Sequence, residues 1–276
     1  MRRSRRLAAA AAAAGLALAA PALAEAPPRA VSVNLCTDQL AAIVAPDLLV
    51  SVSRLADDPR AAAMHAALAD YPRNSGAAEE VFLLEPDIVL AGTWSPSASA
   101  GMLERMGVPV ARFAPEASLA DVAANLRRMG EVLGRPEAGE AAAARFEADL
   151  AALAEAPAAD APLAALYHAN GYTLGAATLS GEVLAAAGLR NLAAERGMGA
   201  GGHLPLELLV MDAPDAIVSG APYPGASRAE EIVRHPALAG VAAGTASADA
   251  DWVCGLPSVL RAVAGLAALR HELTGR

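Results

Sequence analysis

The sequence contains no lysine; all 21 of its basic residues are arginine. That absence removes the phosphate-binding loop of the G-x-x-x-x-G-K type, Schiff-base catalysis and any Ser-Lys dyad, each of which needs a lysine amine. Positive charge is scarce overall, with 30 acidic residues against those arginines and a formal charge of -9. Such a balance argues against nucleic acid, which needs a basic face to displace counterions, and against adhesion to anionic lipid. Aromatic residues make up only 3% of the chain, and cysteine occurs twice. The five histidines, His65, His168, His203, His235 and His271, show no H-x-H or H-x-x-x-H spacing, so neither a bare zinc or manganese site nor a resident cofactor is expected.

What is abundant is apolar: 55% of the 276 residues, enough for one large domain or two lobes of roughly 100 to 130 residues. Residues 1–24 supply part of it. A basic start (Arg2, Arg3, Arg5, Arg6), an apolar run from Leu7 to Ala20 and a small-x-small end at Ala22 to Ala24 read as an export signal cut after Ala24. The run is shorter than the roughly 20 residues that span a bilayer, which disfavours a membrane anchor. Ser4-Arg5-Arg6 leaves both the general and the twin-arginine route open. Cleavage leaves 17 basic against 30 acidic residues, a formal charge of -13, and a soluble periplasmic protein is expected. Export also weakens Gly197 to Gly202 as a dinucleotide fingerprint, since no strand precedes that G-x-G-x-x-G and Pro205 follows it. A flexible loop at a cleft edge is the better reading.

From residue 25 the pattern alternates. Strands are expected at Val31 to Asn34, Leu48 to Val52, Ile88 to Ala91 and Val108 to Phe113, with a helix capped by Thr37 or Asp38 and running through Leu40 and Ile43, and further helices at Arg60 to Ala69, Ala78 to Leu84 and Gly101 to Gly107. Ile88 to Ala91 is wholly apolar, as a parallel strand covered on both faces requires. From Ser118 to Ala156 the spacing is helical, and Glu137 to Glu155 would span roughly 28 Å, enough to cross between lobes. Alternation then resumes with strands at Leu163 to Tyr167 and Ala216 to Ser219, and helices at Ser180 to Ala187, Leu204 to Met211 and Leu256 to Leu273. The expected architecture is α/β: an N-terminal lobe over 25–117, a helical segment over 118–157 and a C-terminal lobe over 158–276. Glu79 to Leu90 and Glu207 to Val218 share one form, in which an acidic residue opens a helix that Pro-Asp stops before an apolar strand.

Several segments carry a resemblance. Arg29 to Leu40 (RAVSVNLCTDQL), Gly76 leading to Glu79 to Leu90 (EEVFLLEPDIVL), Gly181 to Asn191 (GEVLAAAGLRN), Leu206 to Asp215 (LELLVMDAPD) and Asp251-Trp252 keep an order and spacing that resemble the periplasmic solute-binding proteins of ABC importers. The branch is the one that carries ferric siderophores, haem and cobalamin, and the similarity spans nearly all of 29–272. The resemblance implies two three-layer α/β lobes joined by a single long backbone helix, with limited hinge closure and a ligand held in the cleft. It implies no enzymatic activity, an ABC permease as partner and a metal chelate as cargo. A ferric siderophore is the first expectation, being the broader class, with a corrinoid or haem as alternatives; a monomer is expected. A periplasmic hydrolase lacks support, since no G-x-S-x-G occurs, and a receptor-like module that binds a partner instead of a solute is the remaining class.

Ligands of such sheets lie at the carboxyl ends of strands. By position the cleft is then lined by Asn34, Leu35, Cys36, Arg54, Leu55, Thr93 and Trp94 from one lobe, and by Asn170 to Tyr172, Gly202 to Leu204 and Trp252 to Cys254 from the other, with His203 the one histidine at the cleft. Trp94 and Trp252, the only tryptophans, read either as core or as flat platforms for a bulky chelate, with Tyr172 a third. Arg54 reads as a forked donor for an anionic chelate or as a solvated turn residue. Cys36 and Cys254 have three open states: a disulfide, buried thiols, or thiols facing the ligand. Glu79 and Glu207 suit helix N-termini by dipole alone; the resemblance gives them a further role, docking onto permease arginines, one per lobe.

Overall fold

A computed structural model of the chain describes residues 28–95, 97–221, 225 and 227–275. The export signal read over 1–24 lies outside the described residues. The first lobe comprises β1 (Ala30–Ser32), α1 (Leu35–Val44), β2 (Leu49–Ser53), β3 (Arg73–Asn74), α2 (Ala78–Phe82), β4 (Ile88–Gly92), α3 (Ser97–Arg105) and β5 (Val110–Phe113). Its five strands are all parallel, in the order β3-β2-β1-β4-β5. Side chains of a strand alternate between faces, and here both faces are apolar. Ala30 and Leu90 pack toward α1, whereas Val31 and Val89 pack with Val81 and Leu103 on the opposite side. Helices must cover both, which gives three layers.

Two long helices follow, α4 (Leu119–Val132) and α5 (Pro136–Leu153). Gly130 and Gly139 set how closely they cross. A Cβ on Gly130 would stand 2.9 Å from the Gly139 Cα, and one on Gly139 would stand 2.8 Å from the Leu126 carbonyl oxygen. Arg127 then ties the pair together by bonding to both Glu140 and Glu147. The second lobe contains β6 (Leu163–Leu166), β7 (Tyr172–Thr173), α6 (Leu179–Ala186), β8 (Arg190–Asn191), α7 (Leu192–Glu195), β9 (Gly202–His203), α8 (Leu206–Asp212), β10 (Ala216–Gly220), β11 (Gly244–Ala248) and α9 (Val259–Thr274). Its parallel sheet runs β11-β10-β6-β8, and β7 with β9 forms a separate antiparallel ribbon. One continuous apolar core passes from Leu40 through Leu126 and Phe146 to Leu184 and Val263, so the helical pair belongs to the packing of both lobes.

The repeated segments of sequence are repeated in structure. Asp87 accepts a hydrogen bond from the Arg29 amide just before β1, and Asp215 accepts one from the Leu163 amide that opens β6, at 2.7 and 2.8 Å. Each repeat also bends at a left-handed residue two positions earlier, Glu85 at φ 49° and Ala213 at φ 43°.

Two local expectations change. Residues 60–69 form a succession of turns and no helix. The Met64 amide donates to the Gln39 side chain instead of to a preceding carbonyl, and His65 Nδ1 is spent on the Ala56 carbonyl. Asn34, not Thr37 or Asp38, caps α1 by accepting from the Cys36 and Thr37 amides. Asp38 turns inward, where its carboxylate accepts from the Ser53 amide and hydroxyl and so ties α1 to β2.

Candidate functional site

The strand order of the first lobe places β1 beside β4 although β2 and β3 come between them in the chain. The connections after β1 and β4 therefore leave in opposite directions and open a crevice at their carboxyl ends. Asn34 stands at one side and Gly92 at the other. A Cβ at residue 92 would lie 2.8 Å from Asn34 Nδ2, so the two strand ends meet this closely only because that residue is glycine.

A cavity of about 370 Å³ occupies the crevice and extends between the lobes. The first lobe contributes Asn34, Cys36, Thr37, Leu40, Gly92, Thr93, Trp94 and Phe113 to Glu116; the second contributes Leu174, Thr178 to Ser180, Trp252, Val253 and Gly255. These walls are mainly apolar. Among the described residues, Glu116 is their one ionisable side chain, and no arginine, histidine, tyrosine or methionine lines them. Trp94 is 87% exposed and Val253 51% exposed, so unpartnered apolar surface continues outward from the cavity.

Several bonds join the lobes around this space. Cys36 in the first turn of α1 is disulfide-bonded to Cys254 of the other lobe, with their Cα atoms 5.4 Å apart. The Gln39 amide reaches the same sulfur of Cys254 at 3.6 Å. Glu116 accepts from Asn125 Nδ2 at 2.6 Å and, across the cleft, from the Gly255 amide at 3.2 Å. Glu182 of α6 accepts from the Leu119 amide at 2.7 Å, which satisfies a free donor at the start of α4 with a negative charge. Burial raises the Glu116 pKa above the ordinary carboxyl range, Asp121 adds to the rise, and the Asn125 and Gly255 donors oppose it. Behind the cavity, burial pushes Asp38 up to about 7 despite hydrogen bonds from Ser32 and Ser53.

Of the residues expected at the cleft, Asn34, Cys36, Thr93, Trp94 and Trp252 line the cavity. The disulfide removes the reading of Cys36 and Cys254 as free or ligand-facing thiols; Cys36 remains a wall residue through its bonded sulfur, and Cys254 is buried behind it. Leu35 is buried in the core. Arg54 and Leu55 lie in a shallower groove beside the cavity with Asp57, Asp58 and Arg60, because the chain after β2 enters a short 3-10 turn over Arg54–Asp57. Tyr172 and His203 face each other across the β7–β9 ribbon, both exposed and outside the cavity walls. Trp252 is held by a turn in which Asp249 accepts from the Asp251 amide and Asp251 pairs with Arg261. Glu79 and Glu207 are exposed in the first turns of α2 and α8, each followed at matching positions by exposed apolar residues, Phe82 with Leu83 and Val210 with Met211.

The sequence reading missed Phe113 to Glu116, Leu174 and Thr178 to Ser180. The first group follows the carboxyl end of β5, so the strand-end rule that found Asn34 and Thr93 reaches it when applied to the fifth strand as well. The others lie in a loop and at a helix start, where no strand end points. Among the described residues, no group of three or more His, Cys, Asp or Glu side chains is placed to hold a metal ion.

Comparison with known proteins matches this architecture. The vitamin B12-binding protein of Vibrio campbellii is 31% identical over 112 residues, 40% of this chain and 39% of that protein. The cobalamin-binding protein of Halobacterium salinarum is 31% identical over 146 residues, 51% of this chain and 40% of that protein. The chain thus spans about two fifths of the length of these curated relatives. In fold it is similar to the periplasmic heme-binding protein RhuT from Roseiflexus sp. RS-1 in apo form, with a TM-score of 0.72 at 22% identity over 89% of this chain and 98% of that one. Residues 31–247 match the family described as periplasmic binding protein, and the chain belongs to that family.

Proposed function

We propose that this chain is the exported solute-binding component of an ABC importer and that its cleft holds a corrinoid. The observation that carries the reading is the composition of the cavity wall. Haem iron takes an axial ligand from histidine, tyrosine, methionine or a cysteine thiolate, and the described wall residues offer none of these, their cysteine being disulfide-bonded. Anionic catecholate siderophores are matched by clustered arginines, and no arginine stands among the described wall residues. A corrinoid brings its own metal ligation and a rim of neutral amides, so it asks of the protein flat apolar surface and scattered polar groups. Trp94, Phe113, Trp252 and Leu174 provide the first; Asn34, Thr37, Thr93, Thr178 and Ser180 provide the second. The exposed faces of Trp94 and Val253 suit a ligand larger than the 370 Å³ cavity, one that projects from the cleft. The curated relatives named for cobalamin and vitamin B12 support the same reading. Capture and delivery, without covalent chemistry, is the task that follows, and the permease is met through Glu79 and Glu207.

Haem is the second reading. Tyr172 and His203 face each other on the β7–β9 ribbon, both can ligate haem iron, and the solved protein of similar fold is named for heme.

Tryptophan fluorescence separates the two. Cyanocobalamin should quench Trp94 and Trp252 with micromolar or tighter affinity, and W94A should weaken binding at least tenfold. Saturable binding of haemin with no response to cyanocobalamin would replace the corrinoid reading with the haem one.

A further inference from the structure

Among the described residues of the cavity wall, Glu116 is the single ionisable group. Its place is fixed from the helical pair by Asn125 on α4 and from the second lobe by the Gly255 amide next to the disulfide. A carboxylate has about four lone-pair sites; Asn125 and Gly255 occupy one on each oxygen and the Glu116 backbone amide takes a third, which leaves room for a further donor. Among the described residues, no cationic side chain lines the cavity beside it. Asp121, of the same sign, is near enough to raise its pKa. Arg128 stacks on the Phe113 ring at 4.9 Å from its centroid but does not line the cavity, and Arg60 in the adjoining groove pairs with Asp58. A half-buried carboxylate beside apolar walls acts through a low dielectric, so its field on an entering group is stronger than in water.

We propose that Glu116 sets the charge selectivity of the cleft: it accepts a hydrogen bond from an N–H group on the edge of a chelate and rejects chelates whose edge carries carboxylates. The inference rests on the reading of the cavity as a corrinoid site and adds to it a device for exclusion. Specificity is a difference of affinities, and a repulsive contact with the wrong ligand contributes as much as an attractive one with the right ligand. Like charges brought together in an interface are strongly disfavoured, whereas a peripheral amide brings a donor to an oxygen that has room for it. The same carboxylate disfavours haem, whose propionates are anionic.

The test compares ligands of one shape and different charge. Cyanocobalamin and its hydrolysed derivatives, in which peripheral amides are replaced by carboxylates, are titrated by tryptophan quenching against the wild type, E116Q and E116D. The wild type should prefer the amide form at least tenfold. E116Q should lose that preference, chiefly by binding the carboxylate forms more tightly, and E116D, which keeps the charge, should retain it. Equal preference in E116Q and the wild type would overturn the filter, as would an equal loss in E116D, which points to packing alone. If the wild type binds no corrinoid, the corrinoid reading falls by itself. The ratio is then read on a metalloporphyrin bearing cationic N-methylpyridyl groups and its anionic sulfonated counterpart, where a preference for the cation that E116Q abolishes upholds the filter and its absence refutes it.

Discussion

The bond between Cys36 and Cys254 closes a loop with a sequence separation of 218 residues, and replacing both cysteines with alanine removes that closure from the unfolded chain. In the chain-entropy account, a loop of this length restricts the unfolded ensemble by about 5 kcal/mol at 25 °C. That is a large share of the 5 to 15 kcal/mol that typically separates folded from unfolded proteins. At about 2 to 4 °C per kcal/mol for chains of this size, C36A/C254A should melt roughly 10 to 20 °C below the wild type. Thermal and urea unfolding would be followed by circular dichroism, with and without a dithiol reductant. Reduced wild type should fall to the level of the double variant, and reductant should leave the double variant unchanged. A loss under about 1 kcal/mol would refute the reasoning, because the shared core through α4 and α5 would then hold the lobes together without covalent help. The same samples report on the cleft: with the bond gone, ligand should leave faster, since the remaining ties at Glu116 and Glu182 are single hydrogen bonds.

Two further predictions concern groups away from the cavity wall. Asp38 holds its proton more tightly folded, at about 7 against an ordinary 3.8, so its contribution is fully present below about pH 4 and is lost as pH rises through 7. That amounts to about 3 kcal/mol between pH 5 and 8; D38N should flatten this slope in urea midpoints measured at both pH values, and an unchanged slope would show that other groups carry it. E79R/E207R should leave cyanocobalamin affinity within twofold while lowering uptake through the permease at least tenfold, and intact uptake would remove the docking role of these glutamates.

The parts of the fold that sequence reveals are those where burial on both faces forces an unbroken apolar run. Ile88 to Ala91 and Ala216 to Ser219 are legible for that reason, and the Pro-Asp stop before each makes the duplication visible. β11 is not, because Gly-Thr-Ala-Ser-Ala at a sheet edge has the composition of a loop, and its pairing comes from β10 alone. Residues 60–69 mislead in the other direction: their alanines favour a helix, but Gln39, distant in sequence, takes the Met64 amide. At the cleft, the rule of strand ends locates Asn34, Thr93 and Trp94, since the switch between β1 and β4 follows from topology. It misplaces Arg54 because the turn after β2 carries that side chain into the neighbouring groove. Glu116 and its partner Gly255 stand 139 residues apart, and only the folded chain brings them together.

The two lobes are attached in two distinct ways, covalently at the first turn of α1 and through the packed helical pair behind it. Each attachment limits how far the lobes can part, so any opening that admits a ligand at the mouth near Trp94 has to be compatible with both. If a permease docks at Glu79 and Glu207 as we propose, it pulls on the outer ends of α2 and α8, on lobes that are already tied to each other at the cleft.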